Sequence, residues 1–134
     1  MKSVKSWQEK LDNASAPKNP HVVEAPLNWN GGQEGGTMVI PSARELDAII
    51  RQIPDGQTRK ITDIRAEYAK SHNVDITCPL TTGIFLRFLA ENAESERAHG
   101  KKDVTPYWRA VADNGQMPPK LQVVYDRFHD RPLT

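Results

Sequence analysis

The sequence predicts a mainly α domain, three helices followed by a C-terminal β-hairpin. This is the order of a winged helix-turn-helix, and an extended N-terminal arm precedes it. Three observations predict it. Apolar residues recur at helical spacing in three stretches beyond residue 40, an Asp113-Asn114-Gly115 turn follows a β-rich run, and proline and glycine crowd the chain between Ala16 and Pro41. The predicted organisation is a short helix and arm over residues 1–38, then the winged-helix domain over 39–134.

Val4, Trp7 and Leu11 are spaced as one face of a short N-terminal helix. Pro17, Pro20, Pro26, Gly31, Gly32, Gly35, Gly36 and Pro41 then argue against a long helix or a central strand, because proline lacks the N–H that either would use. Ser42-Ala43-Arg44-Glu45 has the spacing of a capping box. Leu46, Ile49, Ile50 and Ile53 follow at i, i+3, i+4 and i+7, which predicts a first helix to about Ile53, stopped by Pro54-Asp55-Gly56. The second helix starts at Thr62, whose hydroxyl can cap free amides, and turns Ile64 and Tyr68 to the core. A short strand at Val74–Thr77 leads to the longest helix. That helix opens at Pro79, a residue suited to the first helical position, and stops at His99-Gly100. Ile84, Phe85, Phe88 and Leu89 form its buried stripe, and Glu91, Glu94, Glu96 and Arg97 make its later turns solvated. Thr105, Tyr107, Trp108 and Val111 favour a strand over Val104–Val111, and Asn114-Gly115 is a strong hairpin signal because both residues tolerate positive φ.

Composition narrows the function classes. The chain has 134 residues, enough for one domain, and 37% of them are hydrophobic. No apolar run approaches the ~20 residues of a membrane span. Met1–Trp7 is basic but has no apolar segment after it, so it is not expected to be a secretory signal. Cys78 is the one cysteine, so there is no intrachain disulfide framework, and a reducing, cytoplasmic location is expected. Lys and Arg total 18 against 17 Asp and Glu, a smaller basic excess than dedicated polyanion binders carry.

Three separated pieces carry a resemblance. They are Gly56-Gln57-Thr58-Arg59-Lys60-Ile61-Thr62-Asp63-Ile64, then Thr81-Thr82-Gly83-Ile84, then Thr105-Pro106-Tyr107-Trp108-Arg109-Ala110-Val111 ahead of Asp113-Asn114-Gly115. In order and spacing, roughly residues 40–120 resemble the DNA-binding domain of the alkylguanine-DNA alkyltransferases (methylated-DNA-protein-cysteine methyltransferases). The nearest resemblance is to the alkyltransferase-like proteins, which lack the acceptor cysteine. The family's reactive Pro-Cys-His-Arg-Val falls on Pro106-Tyr107-Trp108-Arg109-Ala110, so Tyr107 replaces the alkyl-accepting cysteine and Trp108 its activating histidine. A phenol with a pKa near ~10 and no base beside it is a poor acceptor at neutral pH, so alkyl transfer is expected to be absent. Leu80 stands where the family has its finger arginine, and Ile61 is nearest to the tyrosine that helps rotate the damaged nucleotide.

The resemblance implies a non-catalytic protein that binds double-stranded DNA and recognises alkylated or otherwise modified bases in repair. Thr81, Thr82, Arg87, Lys101, Lys102, Arg109 and Asn114 are the expected DNA-contacting residues. Pro106, Tyr107 and Trp108 are expected to line a vestigial alkyl pocket, with an aromatic face on which a base can stack. No catalytic residue, metal or cofactor is expected. His21, His72, His99 and His129 are far apart and read as surface histidines, and no Gly-rich phosphate loop is present. Two other readings stand beside this one. One is an interaction module that keeps the fold and loses DNA, its arm wrapping a protein partner or a second copy. Alternatively, an enzyme would use Cys78, a residue that also reads as a small buried side chain at a helix start.

Overall fold

The computed structural model describes residues 20–26 and 36–129, with the side chain of His129 excepted. The expected N-terminal helix at Val4–Leu11 and the glycines at 31, 32 and 35 lie outside the described residues. About 53% of what is described is helical. The order is β1 (His21–Glu24), β2 (Thr37–Ile40), α1 (Ala43–Arg51), β3 (Arg59–Lys60), α2 (Ile61–Ser71), β4 (Ile76–Thr77), α3 (Pro79–Ala98), a 3-10 turn (Tyr107–Arg109), β5 (Ala110–Val111) and α4 (Pro119–His129).

The arm contributes strands, contrary to the expectation from its prolines. β2 is the middle strand of a three-stranded sheet, antiparallel to β1 and parallel to β4. Pro20 and Pro26 flank β1 and Pro41 follows β2, so no ladder position lacks its N–H. Met38 pairs with Ile76 and Val39 with Thr77, so β2 straddles the expected boundary at residue 38. Ala25, Met38 and Cys78 are buried together beneath this sheet.

The main core lies among the helices. Ser42 caps α1, its Oγ accepting the Glu45 N–H at 3.4 Å. The Glu45 carboxylate does not return to the cap; it accepts from the Tyr68 hydroxyl, while that same oxygen takes the Ser42 N–H at 3.1 Å. One phenol therefore locks the start of α1 to α2. Leu46, Ile50, Ile53, Ile64, Phe85, Leu86, Leu89, Tyr107, Leu121 and Val124 fill the space between the helices. The apolar stripe of α3 runs through Phe85, Leu86 and Leu89, whereas Ile84, expected inside, is exposed.

Four further expectations are corrected. Helix α2 begins at Ile61, and the Thr62 hydroxyl does not cap it but donates to Asp113 Oδ1 at 2.8 Å. The run Val104–Val111 is not a strand throughout: Tyr107–Arg109 is a 3-10 turn, and only Ala110–Val111 pairs, parallel to β3. The Asp113-Asn114-Gly115 segment turns the chain without making a hairpin. Gly115 has φ +81°, Asn114 stays out of the positive-φ region, and the Asn114 side chain takes the Gln116 N–H at 2.9 Å. The favoured two-residue hairpin turns need positive φ at the first centre, here Asn114, and Pro118-Pro119 then removes two ladder donors. The chain enters α4 instead, whose Leu121, Val124, Tyr125 and Phe128 keep the i, i+3, i+4, i+7 spacing of a core-facing helix.

Candidate nucleic-acid interface

The expected DNA-contacting residues do not share one surface. Cys78 is the N-cap of α3, its Sγ accepting the Thr81 N–H at 3.4 Å and lying 3.2 Å from Thr81 Oγ1. Thr82 is buried, its hydroxyl donating to the Cys78 carbonyl at 2.7 Å, so it cannot reach a groove of DNA. Arg87 is exposed on α3, 3.7 Å from Glu91. Lys101 pairs with Glu96 at 3.1 Å. Lys102 and Arg109 border a separate cavity near the end of α1, and Asn114 is spent on its own turn.

The expected pocket is also corrected. Tyr107 is completely buried and its hydroxyl donates to Glu94 Oε2 at 2.6 Å, so it belongs to the core and lines no cavity. Burial first, and the Glu94 hydrogen bond second, push its phenol well above the usual tyrosine range. Pro106 and Trp108 do border open space. Trp108 stands between the Lys102–Arg109 cavity and a smaller one of about 280 Å³ shared with Arg97, Met117 and Tyr125, where the Arg97 guanidinium lies 5.3 Å from the indole centroid. The Tyr107 and Trp108 rings meet edge to face, 5.3 Å apart at 73°. A strand would also send these adjacent aromatics to opposite faces, but here it is a 3-10 turn that makes Tyr107 core and Trp108 a wall.

The acidic end of α3 is not the solvated face its sequence suggests. Glu91 and Glu94 are buried. Glu91 accepts from Arg127 at 2.9 Å and faces Arg87, while Glu94 takes the Tyr107 hydroxyl and lies 3.8 Å from Arg97. Two of the three carboxylates are therefore turned inward against cations, and the third, Glu96, is partly exposed and paired with Lys101.

What the structure brings together is a groove on the N-terminal half of α3. Two cavities of about 430 and 240 Å³ share Gly83 and Lys120. Ile61, Pro79, Leu86, Pro118, Pro119 and Leu121 supply apolar walls to the first, and Ile84 and Phe88 to the second. Among the described residues their only charged lining residues are Arg65, Arg87 and Lys120, all cations. Leu80, 59% exposed, stands one turn from Ile84 on the same helix. Gly83 has helical rather than positive φ, and a Cβ built there meets nothing within 4 Å. A mid-helix glycine costs about 1 kcal/mol relative to alanine, and here the fold itself does not require it.

Sequence reading missed Arg65, Lys120 and the Pro118–Leu121 wall. The signal for the wall was the heptad-like spacing of Leu121, Val124, Tyr125 and Phe128, which marks α4 and places Lys120 in its first turn. Among the described residues no helix is long and apolar enough to cross a membrane, and no three His, Cys, Asp or Glu side chains converge as a metal site would need. No protein-family model matches the chain, and neither does any curated protein or solved structure.

Proposed function

We propose that this protein is a non-catalytic, alkyltransferase-like DNA-binding protein, with α2 and α3 as its helix-turn-helix and the Gly83 groove as its DNA-facing surface. The observation that carries this reading is the groove itself. Among the described residues three cations and no carboxylate line it, a fold-dispensable glycine opens its floor, and Glu91 and Glu94 farther along α3 are held inside. Polyanion binding needs cations converging on one face rather than a large net charge, so the overall +1 is no obstacle. The apolar cavity beside Ile61 suits an unstacked or modified base, in the manner of proteins that read a base out of the duplex. Tyr107 is too deeply buried, and too firmly protonated, to accept an alkyl group.

Fluorescence anisotropy with labelled duplexes, one carrying an O6-alkylguanine, tests this at two salt concentrations. Binding that weakens with salt and favours the alkylated duplex is expected. No salt-dependent binding to either duplex overturns the proposal. The exposed Leu80, Ile84 and Val123 favour a second reading, a protein-interaction module that kept the fold and lost DNA binding.

A further inference from the structure

A cavity of about 390 Å³ lies where the end of α1 meets the segment leading into the 3-10 turn, and none of its lining residues lines the α3 groove. Arg51, Lys102 and Arg109 bring three cations to it, Asp103 brings one exposed carboxylate, and Trp108 brings an aromatic wall. Two of the cations are fixed by the fold. Arg109 donates to the Ile53 carbonyl at 2.7 Å, and Arg51 is held by Asp47 one turn earlier at 3.1 Å.

The carboxylates near these cations are unequal competitors. Asp47 is engaged by both Arg51 and the Thr105 hydroxyl. Asp103 and Asp55, which pair with Arg51 and Arg109, are 95% and 97% exposed, while their arginines are 33% and 19% exposed. Anchored cations thus face counter-ions that water screens and that a ligand can displace. Lys102 has no ion pair among the described residues. The Arg109 Nε–H is buried and meets no acceptor, a donor left over after both terminal nitrogens of the guanidinium have bonded.

We propose that this cavity binds a phosphorylated nucleotide. Its phosphate sits among Arg51, Lys102 and Arg109, and its base lies against Trp108. A guanidinium fork matches phosphate geometry, tryptophan stacks on any base, and the volume falls within the range of small-ligand sites. The phosphate can belong to a free nucleoside monophosphate or to the 5′ end of a nucleic-acid strand. The site is independent of the α3 groove, so the two readings stand or fall separately.

The 134-residue chain carrying Trp7→Phe and Trp29→Phe keeps Trp108 alone of its three tryptophans. Its fluorescence is followed during titration with GMP, guanosine, and a trinucleotide with or without a 5′-phosphate. GMP is expected to quench Trp108, with guanosine about tenfold weaker, the effect of roughly one charge-assisted contact. Lys102→Ala is expected to weaken GMP binding while leaving the melting midpoint unchanged, because Lys102 is exposed and its one structural bond, the carbonyl accepting the Val104 N–H, is kept by alanine. Tighter binding by GMP than by the phosphorylated trinucleotide assigns the site to free nucleotide, and the reverse order to a strand end; both carry the proposed chemistry. The proposal is overturned if no phosphorylated ligand changes Trp108 emission, if guanosine binds as well as GMP, or if Lys102→Ala binds unchanged.

Discussion

Replacing Gly83 by alanine separates what the fold needs from what the groove needs. Residue 83 lies inside α3 with helical φ, and its built Cβ has no heavy atom within 4 Å. The substitution therefore adds no clash and removes the conformational freedom that glycine gives the unfolded chain. A gain of about 1 kcal/mol is expected from helix propensity. For a folded unit of this size that raises the melting midpoint by roughly 4 °C, measurable by circular dichroism. The same methyl group stands in the floor of the groove proposed to face DNA, where a closely approaching backbone would have to move away from it. A loss of about 1–2 kcal/mol in binding is expected, a five- to thirtyfold rise in Kd. Stabilisation with weakened binding supports the reasoning. A destabilised variant would show that position 83 is not open within the fold, and unchanged affinity would show that nothing approaches it.

Tyr68 and Tyr107 both have phenol pKa values raised by burial and then by hydrogen bonds to Glu45 and Glu94. A raised folded-state pKa means that their contribution is complete below the unfolded value of ~10 and is lost as pH rises beyond it. Stability is expected to fall by up to about 2.7 kcal/mol per pH unit in that window, and Tyr107→Phe should halve the slope in urea titrations across alkaline pH. The same variant removes a donor from a buried carboxylate and is expected to cost about 2 kcal/mol at pH 7. Retention of full stability would show that Glu94 does not depend on that bond. Cys78 is buried and bonded to Thr81, so a thiol reagent is expected to label it slowly in native protein and readily in urea; equal rates would restore it as a reactive candidate. Leu46→Ala, at a fully buried site in α1, is expected to lower unfolding free energy by about 2–5 kcal/mol in chemical denaturation.

Periodicity made the three central helices legible, because Leu46, Ile50, Ile64, Phe85 and Leu89 repeat at the spacing of a buried helical face. The glycine and cap signals also located the ends of α3, with Cys78 at its start and positive φ at Gly100 beyond its end. The hairpin was misread because Asn-Gly is a local signal and Pro118-Pro119, three residues later, decides against a returning strand. The strands of the arm were misread for the opposite reason: proline density hides short segments whose N–H groups are all present.

The candidate site was less legible than the fold. Residues adjacent in sequence, such as Thr81 and Thr82 or Tyr107 and Trp108, differ in exposure by the accident of helical phase and a 3-10 turn. Glu91 and Glu94 read as solvated because nothing local announces that Arg127 and Tyr107 come from other elements to meet them. The groove likewise needs Arg65 from α2, Arg87 from α3 and Lys120 from α4, a convergence that only tertiary structure supplies.

The central claim is that those three cations meet phosphate. Its most direct test is the slope of log Kd against log salt concentration for duplex DNA, compared between the wild type and the Arg87→Ala/Lys120→Ala variant. Each neutralised phosphate contributes roughly 0.9 to the slope, so removing two cations should lower it by about 1.8 while the thermal midpoint stays close to that of the wild type. A slope that does not change between the two proteins, or a wild type whose affinity ignores salt, contradicts the assignment of this groove to DNA.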